Sequence, residues 1–462
     1  MRVDVLVAEI GSTTTVVNAF NDLSTEHPVF LGQGQAPTSV YEGDVRIGLS
    51  QAVADLERKL SVPTLEFSEM LATSSAAGGL KMTVHGLVYD MTAKAAREAA
   101  LGAGANIHMV TAGKLRASDM KKIEAIHPNI ILIAGGVDFG ERETALDNAE
   151  RIAALPFEVP VIYAGNIQNH EDIKELFALH GKSHLIHIVD NVYPKIDLLN
   201  VEPARKVIQD VFEEHIIHAP GMLHVRDLVN GPIIPTPGAV MEASKLLKEA
   251  IGDLITLDVG GATTDLHSVT EGSEEINKIL LAPEPVAKRT VEGDLGVYVN
   301  MRNVVDLIGH DKLMKDLNVT PEVLLELMEN HLPIPLTELQ IAFVESLTRE
   351  AVLTASDRHA GGFRTLYGGS KKTLAVGKDL TSIKWIIGTG GALTRLPNRL
   401  EILRSIALSN KGDKLLPLPE AGILIDSDYI MASLGVLSKV YPEAALRLLL
   451  KSLNYSVEEE SI

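Results

Sequence analysis

The stretch "LDVGGATTDLHSV", residues 257–269, sets two carboxylates, Asp258 and Asp265, on either side of two glycines, an alanine and a threonine pair. A hydrophobic strand that turns through such residues exposes backbone N–H groups and short hydroxyls at one rim, where phosphate oxygens can be held without side-chain bulk. A carboxylate just before the turn suits Mg2+, which keeps several waters and takes few direct protein carboxylates. The beginning of the chain repeats the pattern, since "EIGSTTT" offers Glu9, then Gly11, Ser12 and Thr13. A third glycine-rich turn, Gly388 to Ala392 in "IIGTGGALTRLP", would let backbone approach a base and ribose. Asp258 and Glu9 are then expected to face one metal–nucleotide from two sides, with Asp265 nearby. The competing reading of each motif is an ordinary tight turn between strands. Three of them in this order favour the site.

Other residues tempt less. His180, His184 and His187 have ligand-like spacing but straddle a helix end and a strand, so they need not converge. His215, His218 and His224 fall where a helix ends, and structural or helix-dipole roles suit them better than a metal. Arg358 and His359 in "SDRHAGGFR" fit a nucleotide-side, a partner-side or a helix-end role. "SSAAGGL", residues 74–80, is small enough for another phosphate loop or for close backbone packing. The final "SVEEESI" reads as a frayed acidic tail.

Positioning such residues needs a framework, and the chain has the material for one. With 462 residues, 46% of them hydrophobic, it can bury substantial cores in two or three domains. The 61 acidic and 42 basic residues leave a net charge of −19, which repels nucleic acid and anionic membranes. The absence of cysteine removes disulfides, thiolate zinc sites, cysteine-ligated iron–sulfur clusters and a cysteine nucleophile, and fits the cytoplasm. Asp4 and Glu9 interrupt the first apolar stretch, so no signal peptide is expected, and no apolar run is long enough to span a bilayer.

Short β-branched runs alternate with amphipathic segments, the pattern of an α/β protein. "VDVLVAEIGS", "TTVVNAF" and "PVFLGQGQAPT" predict three strands, followed by a helix from about Val45 to Leu60. From about residue 83 to 190, helix and strand alternate regularly, which predicts a parallel, doubly wound sheet. "NGPIIPTPGAV", residues 230–240, is the best domain crossing, dividing the chain into 1–240 and 241–462. An internal repeat joins the halves: "VLVAEIGSTTTVV" matches "LITLDVGGATTDL", and "IILIAGGVDFG" is paired with "WIIGTGGALTRLP". Gly11 to Gly135 is 124 residues and Gly260 to Gly390 is 130, which suggests a duplicated domain.

"EIGSTTT", "LDVGGATTD" and "IIGTGGALTRLP" resemble the first phosphate, second phosphate and adenosine loops of the actin, hexokinase and heat-shock chaperone ATPase superfamily. The whole chain, including "PTPGAVMEASKLL" and "ASDRHAGG", further resembles the glutamate mutase L family, accessory proteins of adenosylcobalamin-dependent mutases related to the large subunits of diol dehydratase reactivases. That resemblance implies two ribonuclease-H-like lobes with ATP and Mg2+ in a cleft between them, and an enlarged α/β N-terminal half over about 83–230. It implies a chaperone-like ATPase that helps a damaged mutase release its inactivated cobalamin, with mutase subunits as partners; a homodimer is left open. Carried over by position, Gly11, Ser12, Thr13, Gly260, Gly261 and Thr263 contact phosphates, while Glu9, Asp258 and Asp265 order the metal and the attacking water. Gly388, Gly390, Gly391 and Ala392 line the adenosine pocket, with Arg395 stacking on adenine. Glu9 stands where the superfamily usually has aspartate, and Ala262 where some members have a third glycine. The alternative within the same superfamily is a small-molecule kinase, for which Asp138 in "AGGVDFG" is the candidate base.

Overall fold

The computed structural model describes residues 1–11, 14–75, 80–216, 221–366 and 372–455. It separates into two compact units: Met1–Glu242 with Ala432–Ala445, and Ala243–Met431 with the segment from Leu446 onward.

The first unit begins with β1 (Arg2–Ile10), β2 (Thr14–Asn21), β3 (Val29–Pro37) and β4 (Glu66–Ser74). β1, β2 and β3 form an antiparallel meander, and β4 runs parallel to β1. Val5, Leu6, Val7, Ala8 and Ile10 of β1 are fully buried, as expected of a central strand covered on both faces. The helix Val45–Lys59, capped by the Asp44 side chain, lies against this sheet. A Cβ at Gly34 would stand 2.1 Å from the Ala52 carbonyl oxygen, so glycine is what lets helix and strand approach there.

A second sheet is inserted before the first one closes. β5 (Lys81–Gly86), β6 (Asn106–Ala112), β7 (Ile130–Ile133), β8 (Val161–Tyr163) and β9 (Ile186–Ile188) are all parallel, in the order β6-β5-β7-β8-β9. This is a doubly wound sheet of flavodoxin-like order. β10 (Ile233–Pro235) then returns to pair with β4 and completes the first sheet as β10-β4-β1-β2-β3.

The second unit repeats the first sheet. β11 (Leu254–Val259), β12 (Thr264–Val269) and β13 (Ala287–Glu292) form its meander. After a two-stranded ribbon, β14 (Gly362–Leu366) and β15 (Lys372–Val376), the parallel strands β16 (Trp385–Thr389) and β17 (Gly422–Ile425) extend the sheet to β13-β12-β11-β16-β17. Both five-stranded sheets therefore share one order, three antiparallel strands and two parallel ones, which is the ribonuclease-H-like arrangement. The long helix Glu338–His359, opened by a Thr337–Gln340 capping box, buries Phe343, Leu347 and Ala351 in the second unit's core.

One expectation needs correction. The glycine-ended strand "IILIAGG" is β7 of the inserted sheet, so it is not the counterpart of β16. By position, β4 is: it lies parallel beside β1, with Thr73 opposite Glu9, as β16 lies beside β11, with Thr389 opposite Asp258. The near-equal spacing of 124 and 130 residues was a coincidence of insertion length.

Candidate functional site

The two hairpins that carry the candidate residues are built alike. In β1–β2 the N–H of Gly11 donates to the Thr14 carbonyl at 3.0 Å; in β11–β12 the N–H of Gly260 donates to the Thr263 carbonyl at 2.9 Å. Ile10 pairs with Thr15 and Val259 with Thr264, so the turns have equal length. Glu9 and Asp258 occupy the same rung, one residue before the turn-flanking pair. The partner across that rung differs: Val16 faces Glu9, whereas Asp265 faces Asp258.

In the first unit, Glu9 Oε1 accepts from Ser433 Oγ at 2.6 Å and from Asn18 Nδ2 at 3.5 Å, and Asn18 in turn donates to Ser433 at 2.8 Å. Thr38 Oγ1 donates to the Gly11 carbonyl at 2.8 Å. Ser12 and Thr13 lie outside the described residues, as does most of "SSAAGGL". Ser433 is 424 residues from Glu9 and carries no sequence signal for this contact.

The second hairpin is braced from one side. The N–H of Val297 donates to the Gly260 carbonyl, those of Tyr298 and Val299 to the Gly261 carbonyl, and Asn300 Nδ2 to the Ala262 carbonyl at 2.7 Å. A Cβ at Gly296 would stand 2.3 Å from the Ala262 carbonyl carbon, so the brace lies flush against the turn. With its carbonyls held, the turn leaves the N–H groups of the exposed residues Gly261 and Ala262 with no acceptor among the described residues. Such a cradle suits an anion.

Asp265 is not simply a second copy of Asp258. It is 7% exposed and is gripped by Arg289, whose Nε and Nη2 donate to its Oδ1 at 2.9 and 2.6 Å. Its other oxygen accepts from Thr263 Oγ1 at 3.2 Å. Arg289 sits on β13 opposite His267, so it reaches Asp265 diagonally across the ladder. His267 is fully buried, neither ring nitrogen has a partner among the described residues, and burial first, then Arg289, pushes its pKa well down.

The third turn belongs to the same unit. Gly390 has φ +83°, and a Cβ there would stand 2.4 Å from Asp258 Oδ1 and 2.7 Å from the Val259 N–H and carbonyl. The 388–392 turn is thus pressed against the carboxylate of the second hairpin. Gly388 is a packing glycine, tight against Leu403 and Ile425, while Gly391 meets open space; Ala392 is half-buried and Arg395 is exposed at the end of the short helix Gly390–Arg395. A further carboxylate went unnoticed in the sequence. Asp426, fully buried just after β17, accepts from Thr389 Oγ1 at 2.9 Å, Ser452 Oγ at 2.7 Å and the N–H groups of Ile430 and Met431, and desolvation raises its pKa.

The remaining candidates are engaged elsewhere. Asp138 ties loops of the inserted sheet, accepting from Asn191 Nδ2 at 2.9 Å and the Ile167 N–H at 3.0 Å, so the carboxylate suggested as a kinase base is a loop tie. Arg358 pairs with Asp294 and Glu292, and His359 is buried between Thr290 and Ser268. Among the described residues no cluster of histidines and carboxylates could hold a metal; His184 faces only Glu158, and His218 lies outside them. A cavity of ≈ 230 Å³ opens in the inserted sheet beside Tyr89, Lys94 and Arg97, and no residue of the three glycine turns lines it. No described helix is long and apolar enough to cross a membrane.

A sequence profile of the MutL protein family matches residues 5–453. Protein MutL of Clostridium tetanomorphum is 36% identical over 461 residues, covering 97% of this chain and 98% of its own. Among solved structures, nucleotide-free acetone carboxylase overlaps 94% of this chain and 70% of its own at 12% identity and a TM-score of 0.40. A nucleotide-free diol dehydratase-reactivating factor overlaps 96% and 100% at 10% identity and a TM-score of 0.38. Overlaps this loose leave the fold to be read from the chain's own strand order. The sequence matches are of another kind, running nearly end to end: the chain belongs to the MutL protein family.

Proposed function

We propose that this MutL-family chain is an ATPase that reactivates an adenosylcobalamin-dependent mutase, glutamate mutase or a related aminomutase, by promoting release of damaged cobalamin. The observation that carries the reading is the braced turn Gly260–Thr263, with N–H groups that meet no acceptor among the described residues, in a hairpin whose Asp258 lies against the glycine turn at 390. Gly260, Gly261 and Thr263 would receive the phosphates, and the 388–392 turn the nucleoside, with Arg395 over the base. Asp258, half-buried at the turn's edge, is the residue to hold a Mg2+-bound water, and Asp265, locked by Arg289, keeps Thr263 in place. Gly11, Ser12, Thr13 and Glu9 are proposed for the corresponding contacts in the first unit. Mg2+ would supply charge neutralisation of the phosphates and an oriented water. ATP binding and turnover would shift the protein between states of different affinity for the mutase.

The test uses a mutase inactivated with a cobalamin lacking its adenosyl group. Recovery should require this protein, hydrolysable ATP, Mg2+ and fresh adenosylcobalamin together, and a Gly260→Asp variant, which sets a charge against the phosphates, should not support it. Recovery without ATP, or with the Gly260→Asp variant, would remove the proposal. Phosphorylation of a small metabolite, with no effect on any cobalamin enzyme, would establish the kinase alternative.

A further inference from the structure

Between the helices Pro321–Glu329 and Glu338–His359 of the second unit runs the segment "HLPIPL", residues 331–336. It is pinned at both ends. His331 Nε2 bonds the Val297 carbonyl at 2.8 Å, and its ring lies 5.5 Å from that of Tyr298 and 5.4 Å, edge-on, from that of Phe343. At the far end the N–H groups of Leu336 and Thr337 donate to Gln340 Oε1 at 2.8 and 3.2 Å. Pro333 and Pro335 fix φ between these anchors, so the segment is a stiff strap. It nevertheless turns its apolar side chains outward: Ile334 is 57% exposed, Leu336 is 76% exposed, and Leu332 and the neighbouring Leu325 are exposed too.

A rigid apolar display rimmed by one sign of charge is the form of an interaction surface. No lysine or arginine occurs between Lys315 and Arg349. Glu322, Glu326, Glu329 and Glu338 are exposed there, with no ion pair among the described residues. The complement is an apolar stripe flanked by lysine and arginine. The strap is also one residue from the nucleotide turn, because the Val297–Val299 segment that holds His331 is the segment that braces Gly260 and Gly261.

We propose that Glu322–Glu338 is a docking surface for a basic, amphipathic partner segment, and that His331 is the strut through which docking bears on the turn at 260–263. Docking rests on no assignment of what that turn binds, and its test needs no ATP turnover. The probe is a labelled helical peptide of leucine and lysine, roughly 18 residues long, in about 0.1 M salt. It should bind the full chain about ten-fold more tightly than it binds the Ile334→Asp/Leu336→Asp variant. A Leu179→Asp variant, altering an exposed leucine of the other unit, should bind like the parent. Backbone amide exchange should slow across 322–338 and change at Gly261 and Ala262, and His331→Ala should abolish only the second effect. Equal affinity for parent and strap variant, binding of the chain to vesicles of anionic lipid through this strap, or unchanged exchange at 261–262 with peptide bound would each overturn the proposal.

Discussion

Asp258 and Asp265 face each other across one rung, yet their surroundings assign them different work. Asp258 stands half-buried beside Gly390, so under the proposed function Asp258→Ala should lower ATP turnover by roughly 10²-fold or more and keep most of the melting-temperature rise expected with ATP and Mg2+. Turnover measured beside thermal shift checks this; an unchanged rate would remove Asp258 from the chemistry. Arg289→Met should act on stability instead, since it strands the buried Asp265 carboxylate, at a cost of about 3–5 kcal/mol in urea unfolding. The sequence displayed both aspartates because carboxylates beside glycine turns announce themselves. It gave no hint of Arg289, whose meaning arises only when β13 pairs with β12 and brings it diagonally to Asp265.

Among the elements, the 388–392 turn and its support can be tested separately. Gly390→Ala forces an L-residue into φ +83° and drives a methyl group into Asp258; it should cost about 1–2 kcal/mol in conformation alone and erase the nucleotide-induced thermal shift. Asp426→Ala should destabilise by roughly 2–4 kcal/mol, because the hydroxyls of Thr389 and Ser452 and the N–H groups of Ile430 and Met431 lose one shared acceptor. Retained stability with a lost nucleotide response would instead mark Asp426 as a positioning group for the turn. The hairpin strands, the helix after β3 and the parallel rhythm beyond residue 83 were legible from periodicity. β4 and β5 were not. Their pattern is hidden by buried polar residues, Thr73 and Ser74 in one, Thr83 and His85 in the other. The false pairing of β7 with β16 has a related cause: any buried parallel strand that ends on glycines looks like any other until its neighbours are known.

Across the whole molecule, buried neutral histidines set the response to acid. His85 in the first unit, bonded to Thr111 and Thr83, has its pKa pushed down to about 3 by burial, and His267 and His359 in the second unit are also held well below 6.5. The unfolded chain takes up protons as pH falls through 6.5 while the folded chain does not, so stability is full above that pH and is lost below it. For His85 the loss runs from about pH 6.5 down to about 3, and reaches roughly 2 kcal/mol by pH 5. Urea midpoints at pH 7.5 and pH 5 should differ in this sense, and His85→Gln should reduce the difference. A midpoint indifferent to pH in that window would mean these histidines are protonated in the folded state.

The membership of Ala432–Ala445 in the first unit bears on how the chain is made. Ser433, which donates to Glu9, leaves the ribosome 424 residues after it. At about 5–20 residues per second that interval is roughly 20–85 s, long enough for the inserted sheet to fold in between. A chain released before Ala432 by a premature stop carries all three glycine turns and still lacks the Ser433 bond to Glu9. The first hairpin therefore gains its Ser433 bond only after the residues up to 433 have been made.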